Sequence, residues 1–344
     1  MDIAGQRKIA TILRVLADAG KPIGSIRMAA ELKLLGVDIK HRMIRYYLAE
    51  TDRTGLTRNL GRRGREITEK GRRELSRAVA VDKVGFVAAR VDELAYKMSF
   101  DLDARRGTII INVSTVPKAE FARAAELIAR TLDAGLGMGR HVALDLAADD
   151  LAGRVPQKDR VALGTVCSVT FNGVLGVAGI TTASRFGGLV ELKGGRPLRF
   201  TELISYEGST LDPLEIFIQG RMTSVREAVE TGSGVVGASF REMPAAALPR
   251  AMEIFDKLAA VGLGRPLVIG RPSQPLLDVP VPQGRVGFVV AGGINPLGAV
   301  EEAGIATESH AMAALCEFRR LVSTKELRAA AGGASSAKRS RRKR

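Results

Sequence analysis

Apolar positions Ile9, Ile12, Leu13, Val15 and Leu16 recur at helical spacing, so residues 6–19 are predicted as an amphipathic helix. Gly20-Lys21-Pro22 ends it. Gly24-Ser25 offers an N-cap for a second helix to about Leu34, with Ile26, Ala29, Ala30 and Leu32 apolar. Gly36-Val37-Asp38 reads as a tight turn, and Asp38 can cap a third helix over residues 39–49 that turns Ile44, Tyr47 and Leu48 inward. A longer helix and then two short ones across a turn is a helix-turn-helix pattern. Gly55-Leu56-Thr57 and the Gly/Arg-rich stretch Gly61 to Thr68 then predict two short strands around a basic tip, a wing. Thr68-Glu69-Lys70-Gly71 starts a helix that leads out of the module.

The period changes after residue 80. Apolar, β-branched runs of strand length stand at 84–88 and 108–113, and Val286-Gly287-Phe288-Val289-Val290 echoes Val84-Gly85-Phe86-Val87-Ala88, as two pseudo-equivalent halves would. Residues 117–132 read as a helix with Pro117 at its first position and Phe121, Ala124, Ala125, Leu127, Ile128 and Leu132 as its buried stripe. Further strands are expected at 141–146, 161–169, 187–192, 198–206, 214–218, 234–240 and 285–291, and further helices at 223–231, 244–261 and 295–303. Alternating strands and helices make the body α/β, with a mixed sheet. The expected organisation is a winged helix-turn-helix over 1–80, an α/β effector and dimerisation domain over 81–324, and a basic, disordered tail over 325–344.

Charge sharpens this division. The chain carries a formal net charge of +15 over 344 residues, unevenly spread. Residues 1–77 hold 18 Lys/Arg against 9 Asp/Glu, and the last seven hold six basic residues and no acid. Residues 78–337 hold 28 of each sign. A neutral body with two basic ends points to nucleic-acid contact delivered by the ends. On the third helix Lys40, His41, Arg42, Arg45 and Tyr46 occupy the exposed face and N-terminal half, where a recognition helix meets base edges and phosphates. Arg62, Arg63 and Arg65 at the wing suit the phosphate backbone or a minor groove.

Two cysteines and three histidines exclude a disulfide framework and argue against a metal site. The polar N-terminus predicts no signal peptide, and no apolar run is long enough for a membrane span, so the expected compartment is the cytoplasm. No catalytic acid/base pair can be assembled, no Walker A string occurs, and Gly292-Gly293-Ile294-Asn295-Pro296 does not match GxGxxG. Cys167 reads as a small core residue rather than a nucleophile.

Candidate ligand chemistry gathers where glycine and small hydroxyl residues cluster, because such stretches let backbone N–H groups approach a ligand. Thr165, Cys167 and Ser168 stand in the first cluster, and Thr181, Ser184 and Arg185 in the second. A third runs from Tyr206 to Pro213. Arg185 could clamp a carboxylate, with Ser184, Thr181 and Ser168 as hydroxyl donors, which suits a small dicarboxylate. The competing reading of these clusters is tight turns between strands, with Arg185 in a structural ion pair.

The strings 164–175, Ser184-Arg185-Phe186-Gly187-Gly188, 200–215, 238–244 and Gly292-Gly293-Ile294-Asn295-Pro296 together resemble the NrpR family, repressors of nitrogen-assimilation genes in methanogenic archaea. With the winged helix the resemblance covers about residues 6–323. It implies a winged-helix domain followed by an effector domain, a homodimer or higher oligomer on a two-fold double-stranded DNA operator, and no enzymatic cofactor. It also implies release from DNA by 2-oxoglutarate and, for some members, contact with a PII-family signalling protein. The chain departs from the pattern in carrying one effector domain where some members carry two, and in its basic tail. Two other readings stay open at this point. One is an enzyme acting on a small dicarboxylate with a fused DNA-binding domain. The other is an RNA-binding module, which the 4% aromatic content and the absence of Trp disfavour.

Overall fold

The computed structural model describes residues 3–34, 39–77, 87–145 and 159–341. It divides into two compact units, Met1–Gly85 and Phe86–Arg344. The expected boundary at 80/81 and the one at 85/86 both fall within 78–86, outside the described residues, as do the capping residue Asp38 and most of the strand expected at 84–88.

The first unit contains α1 (Ile3–Ala19), α2 (Ser25–Leu34), α3 (His41–Arg53), β1 (Thr57–Asn59), β2 (Arg65–Ile67) and α4 (Glu69–Arg77). Its core is the stripe expected from the pattern: Ile12, Leu13, Leu16, Met28, Leu32, Ile44, Tyr47 and Leu48 pack together. β1 and β2 pair antiparallel, and Ile23 bonds Arg65 through both backbone groups, adding a bridge beside the wing. Gly64 sits at φ 98, and a Cβ there would overlap the Ile23 backbone, so the turn of the wing requires glycine. This unit is a winged helix-turn-helix.

The second unit opens with α5 (Val87–Lys97), where a strand was expected from 84–88; Val87 and Val91 face the core at helical spacing. It continues through β3 (Thr108–Pro117), α6 (Phe121–Asp133), β4 (His141–Asp145), β5 (Arg160–Val166), α7 (Thr170–Val177), β6 (Ala183–Lys193) and β7 (Arg196–Ser205). Next come α8 (Pro213–Gln219), α9 (Val225–Thr231), β8 (Gly234–Pro244), α10 (Leu248–Ala260), β9 (Val268–Ile269) and β10 (Arg285–Ala291). The unit closes with α11 (Asn295–Glu302), β11 (Glu308–Glu317), β12 (Leu321–Ser323) and α12 (Thr324–Arg341). Three further expectations change. Pro117 ends β3 rather than opening a helix, because α6 begins only at Phe121. Residues 214–218 are helical, since Asp212 caps α8 by accepting from the N–H groups of Leu214 and Glu215, with Pro213 at the first turn. The tail expected from 325 is a helix in its described backbone, and its first turns belong to the body: Leu327 and Ala331 are buried against α6.

The body is α/β, with its strands in two five-stranded sheets in place of the mixed sheet expected. One has the order β11-β3-β5-β4-β12 and the other β7-β6-β8-β10-β9, and every strand pairing recorded among the described residues is antiparallel. The order strand, helix, strand, strand, helix occurs twice, as β3-α6-β4-β5-α7 and as β8-α10-β9-β10-α11. In both copies the last strand lies in the middle, giving β3-β5-β4 and β8-β10-β9. Two pseudo-equivalent halves therefore exist, but the stretch matching 286–290 in topology is β5, not 84–88. A shared core of Ile110, Phe171, Phe255, Phe288 and Met243 joins the sheets. Among the described residues no helix is long and apolar enough to cross a membrane.

Candidate DNA face and anion cavity

On α3 the chain separates two faces. Ile44, Tyr47 and Leu48 are buried, while Lys40, His41, Arg42, Arg45 and Tyr46 are exposed, Tyr46 by 58%. Lys40 occupies the N-cap position without a side-chain cap bond, and Ser25 Oγ lies 3.2 Å from His41 Nε2, tying the start of α2 to α3. The five expected recognition residues are thus together on one open surface. At the wing, Arg62 and Arg63 fill the turn between β1 and β2 and are exposed. Arg65 has a different role from the one expected. Its Nε donates to Asp52 Oδ2 at 2.7 Å, with both side chains only about one-fifth exposed, and Asp52 also accepts from Thr57 Oγ1 at 2.6 Å. Arg65 fastens the wing to the end of α3.

In the body two of the three polar clusters line a small cavity of about 10 Å³. It lies where the two halves meet: Cys167-Ser168-Val169, just before α7, faces Gly293-Ile294, just before α11. Asn112 of β3, Tyr206, Asp212 and Leu214, and Ala311-Met312 of β11 complete the wall. A Cβ on Gly293 would overlap the Val166 carbonyl oxygen and approach Asn112 Nδ2 to 2.6 Å, so the two halves meet this closely only with glycine there.

The dominant charge behind this wall is Arg241 on β8, only 1% exposed. Its Nη2 donates to Ser168 Oγ at 3.0 Å and its Nε to Ser184 Oγ at 3.3 Å. Its Nη1 is buried with no hydrogen-bond partner. Asn172 Nδ2 also donates to Ser184 Oγ, at 3.1 Å. Burial lowers the Arg241 pKa, opposed by the charges of Tyr206, Cys167 and Asp212, three residues of the cavity wall. Guanidinium nonetheless keeps its proton in proteins. A buried cation held by two neutral hydroxyls, with one donor pair unused, is an expensive arrangement that a carboxylate would offset.

The neighbours have shifted titrations. Burial pushes the Asp212 carboxyl up to about 6, against the lowering effect of its two backbone donors and of Arg90 and Arg241. Burial raises the Cys167 thiol to about 11, which removes it as a nucleophile. Burial likewise raises the Tyr206 phenol, and the Asp212 charge adds to this.

The structure therefore sorts the six ligand candidates. Cys167 and Ser168 line the cavity, and Ser184 joins Ser168 through Arg241. Thr165 lies behind the wall, accepting from Asn112 Nδ2 at 3.2 Å. Thr181 is exposed and outside the wall. Arg185 is also outside it: its Nε lies 3.6 Å from Glu242 Oε1, its guanidinium sits 5.8 Å from the Phe186 ring centre, and its side chain is 47% exposed. The cause is the shift in register between Ser184 and Phe186 on β6. Ser184 pairs with Arg241 and Phe186 with Phe240, which makes Arg185 the extra residue of a bulge, out of the strand's alternation. Arg241 itself was missed. Its signal was the pair Arg241-Glu242 near the end of an otherwise uncharged stretch of strand length from Val235 to Met243.

Residues 84–323 match the family described as NrpR regulatory domains NRD1 and 2, and residues 10–75 match the Ribonuclease R winged-helix domain. The chain is 35% identical over 321 residues to the global nitrogen regulator NrpRI of Methanosarcina mazei, covering 93% of this chain and 99% of that one. It is 30% identical over 296 residues to the global nitrogen regulator NrpR of Methanococcus maripaludis, covering 85% of this chain and 51% of the relative, so it spans about half of that longer protein. The crystal structure of a nitrogen repressor-like protein from Methanococcus jannaschii superposes with a TM-score of 0.58 at 26% identity, covering 70% of this chain and 99% of that one. With a winged helix ahead of a matching regulatory domain, the chain belongs to the NrpR family of nitrogen-regulating transcriptional regulators.

Proposed function

We propose that this regulator represses nitrogen-assimilation genes by binding a two-fold operator as a homodimer, and that 2-oxoglutarate releases it by binding at the Arg241 cavity. The coarser part, a DNA-binding nitrogen regulator rather than an enzyme, follows from the family. The observation that carries the effector assignment is the buried Arg241 with its unpartnered Nη1 between Ser168 and Ser184. A carboxylate there gains a charge-assisted bond in a site of low dielectric. The hydroxyls of Ser168 and Ser184 and the N–H groups around Gly293 and Ile294 supply further donors.

Operator binding is delivered by Lys40, His41, Arg42, Arg45 and Tyr46, with Arg62 and Arg63 on the backbone beside them. Two recognition helices must stand ~34 Å apart, or a multiple of it, to read a two-fold site. A ligand that binds better to the geometry unable to meet this spacing lowers operator affinity by its differential affinity alone. A PII-family protein is a further candidate partner of the effector domain.

The test is fluorescence anisotropy on a two-fold fragment from upstream of the organism's own glutamine synthetase gene. Dose-dependent release by 2-oxoglutarate, absent with succinate, is the expected result. Tight operator binding with no response would leave the DNA reading and remove the effector.

A further inference from the structure

We propose that Arg90 on α5 couples occupancy of the Arg241 cavity to the helix that follows the winged helix in the chain, acting as a positioning residue rather than a ligand contact. The inference rests on the effector reading above and extends it to how the signal leaves the site.

The cavity measures about 10 Å³, whereas pockets that enclose small ligands run to roughly 300 Å³ or more. A five-carbon dicarboxylate enters only if part of the wall moves. Two wall segments are tied to the first turn of α5. The Val87 N–H donates to the Ser209 carbonyl at 2.8 Å, and Ser209 lies in the loop that carries Tyr206 and Asp212. Arg90 Nη2 donates to the Met312 carbonyl at 2.7 Å, across to the opposite wall segment. The Asp212 carboxylate is also under the influence of Arg90 as well as Arg241. One helical turn thus holds both walls.

Met312 is the strained member. It is buried, not glycine, and sits at φ 50 within the irregular stretch of β11 between His310 and Ala314. Its N–H donates to Asn112 Oδ1 at 3.1 Å, and the Ala311 N–H donates to Glu215 Oε1. The left-handed backbone therefore persists because three side chains, from Arg90, Asn112 and Glu215, hold the two residues. A segment with stored strain, on the wall of a cavity that must widen, is the segment that yields most readily. When it yields, the Arg90 bond is broken or drags α5 with it. Val87 and Val91 of α5 share a core cluster with Cys167, Val169, Tyr206 and Met312, so the helix follows the same packing. In the chain, residues 78–86 alone separate α5 from α4 of the winged helix. A purely structural Arg90 would stabilise the body but leave effector coupling untouched.

The experiment uses the full chain and compares wild type with Arg90→Gln. Calorimetry gives the 2-oxoglutarate affinity, and anisotropy gives operator affinity with and without 2-oxoglutarate. The expected result is unchanged operator affinity without ligand and, at a 2-oxoglutarate concentration that saturates each protein by calorimetry, a ligand-induced loss of operator affinity at least about fivefold smaller than in wild type. Full release by the variant overturns the proposal. Hydrogen exchange on the wild type keeps the question answerable if the variant does not fold. The amides of residues 91–97 must change protection when 2-oxoglutarate is added, and no change overturns the relay. If wild type binds no 2-oxoglutarate in the calorimeter, the effector reading itself fails and this inference falls with it.

Discussion

Arg241 and Ser184 face each other as a cross-strand pair on β8 and β6, and the Arg241 Nε donates to the Ser184 hydroxyl at 3.3 Å. The pair places a cation inside the sheet, one residue from the exposed Arg185 that local sequence favours as the carboxylate clamp. The consequence is a clear contrast between two arginines. Arg241→Met should weaken 2-oxoglutarate binding by roughly 10- to 100-fold, the worth of a charge-assisted hydrogen bond, while operator binding without effector stays intact. Replacing a poorly compensated buried cation with an apolar chain should leave the melting temperature unchanged or raised. Arg185→Ala should leave effector affinity within about threefold of wild type, a change worth roughly 0.65 kcal/mol. Calorimetry on both variants decides, and a reversed order would return the clamp to Arg185.

Asp212 gives a pH signature. Its folded pKa of about 6 lies above the ordinary carboxyl value, so the folded state binds its proton more tightly than the unfolded chain does. The stability this confers is complete below the unfolded value near 4 and is lost as pH rises through about 6. Asp212→Asn, whose amide oxygen can still accept from the Leu214 N–H, should lack this fall between pH 4 and 6. Urea denaturation of both proteins across that window measures it. The charged groups acting on Asp212 are Arg90 and Arg241, and a neutral Asp212 repels a dicarboxylate less. Calorimetric affinity for 2-oxoglutarate should therefore increase as pH falls through about 6. An affinity independent of pH would remove Asp212 from the site.

The wing arginines should separate by role. Arg65→Ala breaks the Asp52 contact and should destabilise the winged helix by about 1 kcal/mol, seen as a lower denaturation midpoint. Arg62→Ala with Arg63→Ala should leave stability within about 0.5 kcal/mol but lower the salt slope of operator binding by up to about 1.8, two phosphate contacts' worth. An unchanged slope would take both residues off the DNA.

The C-terminal helix should divide in the same way. Leu327→Ala opens a cavity against α6 and should cost about 2–5 kcal/mol in denaturation. Truncation after Gly332 should leave the fold intact and reduce the salt slope of DNA binding without changing operator choice. If that truncation leaves the slope as it was, the basic end takes no part in DNA binding.

The winged helix was legible from the chain because its information is local. Amphipathic stripes, a Gly/Arg hairpin and basic residues on the third helix each lie within a few residues of one another, and helical spacing alone places Ile44, Tyr47 and Leu48 inside and Arg42 and Arg45 outside. The family too was legible, through long strings in one order. The glycine and hydroxyl clusters contain Cys167 and Ser168, which line the cavity, and Ser184, which shares Arg241 with Ser168. Other features were decided only by tertiary structure. The bulge that turns Arg185 outward depends on β6 pairing with β8, and Arg241 is buried on a strand that lies between β6 and β10, bonded to the distant Ser168. The first turns of the tail join the core because Leu327 and Ala331 find α6, roughly two hundred residues away in the chain. Arg65 reads as a DNA contact until Asp52 stands beside it. Sequence reports periodicity and composition, which are properties of neighbours along the chain. Whether a charge meets solvent, a carboxylate or a ligand is settled by which distant strands come together, and that is a property of the folded packing.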